Sequence, residues 1–183
     1  MSYRPLLHSL ALALLLPTLA TAQSAQAPAA PDLNDAEVAH VAVTANAIDI
    51  ELARFVRDRL QHADVRQFAA TMITDHSAVN AQAAALASRL GVTPAENAVS
   101  RSLLEGAATA RRGIEGLRGE AFDRAYLDRE IGYHQAVLDA LDGLLIPTTD
   151  NRELKGLLTT VRPAIAAHLA HAKELRAKFG SGR

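Results

Sequence analysis

Three histidines and two acids hold most of the chemistry this sequence can offer. His76, His134 and His168 each stand where apolar residues recur every three or four positions, and Asp49 and Glu130 stand in the same kind of company. An ionised carboxylate buried alone in an apolar setting is very costly, so it must be paired, hydrated, protonated or bound to a metal. Two carboxylates and three imidazoles that meet would make a ligand set for a divalent transition metal, with iron, zinc, manganese and copper(II) all suited to nitrogen and oxygen donors. They would equally make a hydrogen-bonded ion-pair network that fixes helix register.

Two of the histidines belong to a segment used twice. Aligned on His76 and His134, an aromatic lies eight residues before each (Phe68, Tyr126), isoleucine three before (Ile73, Ile131), and Ala-Val two and three after. The mismatch falls four residues before each histidine, where the first copy has Met72 and the second Glu130. Residues four apart share a helix face, so Glu130 and His134 point the same way. Met72 reads as a core residue, since thioethers commonly fill gaps.

Four long amphipathic helices must position these groups. Asn34 or Asp35 starts the first, which runs to about Leu60 with Ala42, Ala45, Asp49, Leu52 and Val56 on one stripe. Asp64 is the expected cap of the second, whose stripe Val65, Phe68, Met72, His76, Val79, Ala83, Leu86 and Leu90 ends at Gly91. A short extra helix or helical turn is expected over residues 98–112, with a solvated basic patch at Arg111-Arg112. The third long helix spans about Glu120 to Leu145, with Phe122, Tyr126, Glu130, His134, Val137, Leu141 and Leu144 inward. The fourth spans about Asn151 to Phe179, with Leu154, Leu158, Val161, Ile165, His168, Ala172 and Leu175 inward and a kink expected at Pro163. The fold class is therefore all-α: an up-down-up-down four-helix bundle over residues 34–179 with a short extra helix between helices 2 and 3. Asp49, His76, His134 and His168 all fall near mid-helix, so the five groups are expected at one depth.

Other polar residues read as accessories. His171 falls beside the seam, Glu51 about a quarter turn from Asp49, and Asp75 away from the His76 face, where it can orient a neighbouring side chain. His40 and His62 lie toward helix ends and read as solvated, while Tyr126 and Tyr133 read as core or rim residues with hydrogen-bonded hydroxyls.

Composition narrows the function classes. A formal net charge of -1 over 183 residues gives no basic stripe for nucleic acid, and the absence of cysteine removes disulfides, thiolate ligands and cysteine nucleophiles. No phosphate loop, dinucleotide fingerprint or Ser-His-Asp spacing is present. Residues 1–22 read as a signal peptide: Arg4, an apolar run from Leu6 to Ala20, and the small-x-small site Ala20-Thr21-Ala22, with cleavage expected after Ala22. Export, most simply to a periplasm, is the expected fate. Residues 23–33 form an Ala/Pro-rich linker and 180–183 a C-terminal tail. No span is expected to cross a membrane in the mature chain, and the sequence is compatible with a homo-oligomer but names no partner and no reaction.

Three motifs in order resemble a known family. Phe68-Ala-Ala-Thr-Met72-Ile-Thr-Asp75-His76 resembles the Phe-Ala-x-x-Met-Val-x-Asp-His signature of DUF4142. Phe122-Asp123-Arg124-Ala125-Tyr126 followed by His134 resembles its second signature, and Pro163 through His168 to Ala172 its third, while Asp49 aligns with the acid on the family's first helix. The resemblance covers about residues 32–178 and implies an exported bacterial protein with a ferritin-like four-helix fold and no settled function. Many members carry Met or another apolar residue where this chain has Glu130. The paired Glu-x-x-His pattern of ferritin-like di-iron proteins is missing, so ferroxidase activity does not carry over. The metal ligands expected are Asp49, His76, Glu130, His134 and His168, and the competing expectation is a non-catalytic envelope or stress-related module whose buried polar cluster is a hydrogen-bond network. An enzyme would need, in addition, an open pocket at the seam.

Overall fold

Helix boundaries in the computed structural model, which describes residues 31–179, follow the capping chemistry of the chain. The expected signal peptide, the linker up to residue 30 and the tail at 180–183 lie outside the described residues. Helix α1 (Asp35–Arg57) opens on a reciprocal cap: Asn34 accepts from the Glu37 N–H and Glu37 accepts from the Asn34 N–H. Helix α2 (Ala63–Leu90) ends at Gly91, whose φ of 65° is the left-handed conformation glycine adopts without strain. Helices α3 (Ala98–Glu115), α4 (Gly119–Ala140) and α6 (Arg152–Lys178) complete the set, with Asn97 and Asn151 capping α3 and α6. Among the described residues there is no strand, and no helix is long and apolar enough to cross a membrane.

Three expectations need correction. Helix α2 begins at Ala63, and Asp64 is not its cap; Asp64 pairs with Lys178 instead. The turn ahead of α2 is held by the buried Asp123, whose carboxylate accepts the N–H groups of Gln61 and His62 at 2.8–3.2 Å. The helix between α2 and α4 is not short, at 18 residues, and it changes the topology. At one end, Asn97 donates to Glu37 O near the start of α1; at the other, Arg59 near the end of α1 donates to Glu115 O. Helix α3 therefore travels the length of α1, and α4 starts at the end of the bundle where α2 also starts. So α2 and α4 run the same way, and the four long helices do not alternate up-down-up-down; alternation holds only when α3 is counted.

The third long helix also ends differently. After Ala140 a five-residue π-helical turn (Leu141–Leu145) leads into the three-residue helix α5 (Ile146–Thr148). Pro147 has no N–H to return to the preceding turn, and the hydroxyls of Thr148 and Thr149 take up the Leu144 and Leu145 carbonyls. Pro163 lies inside α6, which remains one helix through it.

Packing divides the interior in two. The lower cluster gathers Val56, Val65, Phe68, Met72, Phe122, Tyr126 and Leu175 at the end where α1 hands over to α2. The upper cluster gathers Val38, Leu86, Leu138, Leu145, Leu154 and Ile165 at the opposite end. Between them lies a layer of buried polar residues.

Candidate metal centre

Each histidine of that layer is anchored through one ring nitrogen. His76 Nδ1 lies 2.7 Å from Asn46 Oδ1, and Asn46 is itself oriented by donating its amide to Ala42 O at 3.0 Å. His134 Nδ1 lies 3.0 Å from the Glu130 carbonyl, one turn back along α4. His168 Nε2 lies 2.9 Å from Asp75 Oδ2 across the α2–α6 seam. All three partners are oxygen acceptors, so in each case the anchored nitrogen carries the hydrogen. The other nitrogen of a neutral ring then carries a lone pair. Outer oxygen partners of this kind fix the tautomer and direction of metal-binding imidazoles.

The free nitrogens face one another. His76 Nε2, His134 Nε2 and His168 Nδ1 are buried and have no hydrogen-bond partner, and ring centroids of the three pairs are 5.3–5.7 Å apart. Asp49 Oδ2 and Glu130 Oε2 are likewise buried without partners. All five residues expected from the sequence thus meet in one layer, each with one orphaned polar atom. Two triads have donor atoms within 4.8 Å of one another, His76–His134–His168 and Asp49–Glu130–His134, sharing His134. Asp49 Oδ2 lies 2.9 Å from His76 Nε2 and 3.9 Å from His134 Nε2. The 2.9 Å Asp49–His76 pair is an ion pair when His76 holds a proton on Nε2 as well, and a metal ion held between the two atoms would take that proton's place. Bonds of about 2.1 Å to a common ion put neighbouring donors roughly 3–3.4 Å apart.

Charge balance in the layer is set by a residue the sequence reading passed over. Arg129, almost buried, donates to Asp49 Oδ1 at 3.0 Å and to Glu130 Oε1 at 2.8 Å, and its guanidinium lies over the Tyr133 ring. Burial opposes ionisation of Asp49, but the nearby His76 and His134 and the Arg129 charge outweigh it and hold the carboxyl well below the usual range. Glu130 goes the other way: burial, and then the Asp49 charge, push it well above the ordinary value despite Arg129. Two equally enclosed acids share one arginine, and their carboxyls are pushed apart, Asp49 toward the ionised form and Glu130 toward the protonated one. Burial also lowers His134, to about 4, and lowers His168, so both rings favour the neutral form that ligates metal.

Accessory positions divide. Asp75 orients His168, as its placement suggested, and Tyr133 donates to Ala45 O at 2.8 Å. The Tyr126 hydroxyl is buried with no partner, against expectation, and burial raises it well above the ordinary phenol value. His171 is exposed and packs edge-on against Phe68; Met72 lies fully in the lower core. Asn46 and Arg129 were missed. The available signals were an amide three residues before Asp49 and an arginine directly beside Glu130.

The fold and the layer define a helical-bundle protein with a buried histidine–carboxylate centre. The family model for "Domain of unknown function (DUF4142)" matches residues 20–175, and the chain belongs to that family. No curated protein matches the chain. Among solved structures, a crystal structure of a DUF305 fragment from Deinococcus radiodurans is similar, with a TM-score of 0.66 at 21% identity over 81% of this chain and 99% of that one. At that identity the likeness speaks to the fold.

Proposed function

We propose that this DUF4142 protein is an exported, ferritin-like bundle that holds a divalent transition metal, iron, zinc, manganese or copper, through Asp49, His76, Glu130, His134 and His168. One observation carries the reading. Three imidazoles are each tied by one nitrogen to an oxygen acceptor and turn the other, unpartnered, toward one another, with the unpartnered Asp49 Oδ2 beside two of them and Glu130 in the same layer. A purely structural network has the Arg129 bridge in its favour. It leaves five buried atoms unsatisfied, however, each costing about 1–3 kcal/mol, in a layer where interiors ordinarily satisfy such groups. One ion satisfies several of them at once. Export is part of the proposal through the Arg4, apolar-run and Ala20-Thr21-Ala22 pattern.

The test is element-resolved metal content of the mature chain, untagged and purified without chelator, from cells grown with each metal. The expected result is at least one ion per chain in the parent and loss of it in His76→Ala and His134→Ala. Absence of stoichiometric metal from the parent under every growth condition would overturn the proposal.

A further inference from the structure

The metal reading does not use the space above the polar layer. A cavity of about 530 Å³ lies among α1, α2, α4 and α6. Its walls are almost wholly apolar, with Ala42 of α1, Ala83 and Ala87 of α2, Val137 of α4, Leu141 of the π-helical turn and Leu158 and Val161 of α6 among them. Its floor is polar: His76, His134, Asn46 and Asn80 line it, and His76 Nε2, His134 Nε2 and Asn80 Oδ1 have no hydrogen-bond partner. Both histidines are more than nine-tenths buried, so these atoms are enclosed groups facing a hollow.

The sequence explains the hollow. The α2 stripe predicts Val79, Ala83 and Leu90 as core residues, yet none is fully buried, and beyond His76 only Leu86 of α2 is. Alanines along this half of α2 are too short to reach the facing helices. The result is an apolar pocket partly open to solvent, so an apolar occupant would gain dispersion contacts with its walls and release the water that covers them. The size lies within the range of small-molecule sites, about 300–1,000 Å³. Lining residues run from Asp35 to Asn46 on α1 and from His76 to Leu90 on α2, which at about 1.5 Å per residue makes the cavity roughly 16–21 Å long. An extended apolar body fits that shape.

Charge selects the head group. Among the enclosed groups Asp49 and Glu130 bring two negative charges when both ligate, Arg129 brings one positive, and a divalent ion leaves a single positive charge at the cavity floor; Asp75, behind His168, is nearly half exposed and its charge is screened by water. One carboxylate neutralises it. We infer that the cavity binds a monocarboxylate with an extended apolar chain, a fatty acid of medium length. Its tail lies along the alanine wall of α2, and its carboxylate completes the metal centre beside His76 and His134. The inference rests on the metal-binding reading for its head group and on the cavity alone for its tail.

The experiment uses the full mature chain loaded with cobalt(II), whose visible absorption reports a change of ligand. Metal content is measured separately on every sample. Dodecanoate is titrated into loaded and metal-free protein, with dodecanol as the neutral control. Expected are saturable binding of dodecanoate to the loaded protein with a shift of the cobalt bands, and at least ten-fold weaker binding to the metal-free form. Dodecanol should bind at least ten-fold more weakly and leave the bands unmoved. Ala83→Phe, two turns from His76 and facing the cavity, should keep full cobalt content and weaken dodecanoate at least ten-fold; Ala87→Leu is the milder second variant should Ala83→Phe fail to fold. Full cobalt content without dodecanoate binding, equal binding of dodecanol, or undiminished binding by a folded cavity-filling variant would each overturn the inference and leave the metal reading standing. Absence of bound cobalt in the parent would instead strike the metal reading, and with it the head-group claim.

Discussion

Replacing Glu130 by glutamine should leave the metal-free protein close to the parent in stability and take away most of what metal adds. In the metal-free chain the Glu130 carboxyl is fully enclosed, with Oε1 accepting from Arg129. Burial and the Asp49 charge raise it well above its ordinary value and favour the protonated form, which offers an O–H to Asp49. A glutamine keeps the acceptor for Arg129 and replaces that O–H by an amide N–H, so the balance of donors and acceptors is unchanged. The metal-free melting points should therefore agree to within about 1 kcal/mol, which is about 2–4 °C for a chain of this size. Free metal at a hundred times the dissociation constant stabilises the parent by about 2.7 kcal/mol, whereas a hundred-fold weaker site at the same concentration gains only about 0.4 kcal/mol. The difference of about 2.3 kcal/mol should lower the metal-loaded variant by roughly 5–9 °C relative to the loaded parent. Thermal unfolding of parent and Glu130→Gln, each with chelator and with a series of metal concentrations, measures both arms. The reasoning is refuted if the two proteins show the same metal-induced rise.

Other perturbations separate the remaining roles. Asn46→Leu and Asp75→Ala remove the oxygens that orient His76 and His168, and each should weaken metal binding 10–100-fold with little change of fold, read by competition with a coloured chelator. Asp123→Ala should cost about 2–4 kcal/mol in urea unfolding while leaving metal content intact, because it strips the buried acceptor from the Gln61 and His62 N–H groups at the far end of the bundle. In metal-free Glu130→Gln, where the opposing titration of Glu130 is gone, stability should be full above about pH 6.5 and fall as the pH drops toward 4. The unfolded chain takes up a proton on His134 in that window that burial denies to the folded one. The slope attributable to this group is at most about 1.4 kcal/mol per pH unit, and adding His134→Gln should flatten it in urea titrations across pH 4–7.

The apolar stripes and the five layer residues were legible in the sequence because helical period and helix depth are both counted in residues. A histidine that lies at mid-helix and on the inward stripe of α2, α4 or α6 points to the middle of the bundle, whereas His171, beside the stripe, is exposed. Arg129 was not legible for a related reason. It lies one position off the Glu130 stripe, where a charged residue ordinarily reads as solvated, and only its long stem lets the guanidinium fold back between two acids. The course of α3 was hidden in another way. A short helix or helical turn over 98–112 was expected, whereas the Asn97–Ser100 capping box and the reach of Arg59 to Glu115 hold an 18-residue helix that travels the length of α1. The cavity escaped a pattern-based reading altogether, since alanine counts as apolar in a stripe whether or not its short side chain fills the space it faces.

The mismatch between the two copies of the repeated segment acquires a physical meaning from these contacts. In the first copy Met72 is simply part of the lower core. In the second, Glu130 lies where its charge must be reckoned against Asp49 and Arg129. With an apolar residue at this position, Asp49 and Arg129 would form a balanced pair and the layer would be neutral. With glutamate there, the enclosed part of the layer has one acid in excess, and burial together with the Asp49 charge raises the Glu130 carboxyl well above its ordinary value, which favours a proton there in the metal-free protein. A metal ion bound by Glu130 takes the place of that proton. Metal uptake near neutral pH should therefore release a proton from the parent that Glu130→Gln does not release, measurable as the buffer-dependent part of the binding heat. Equal proton release from both proteins would show that Glu130 is not where the ion binds.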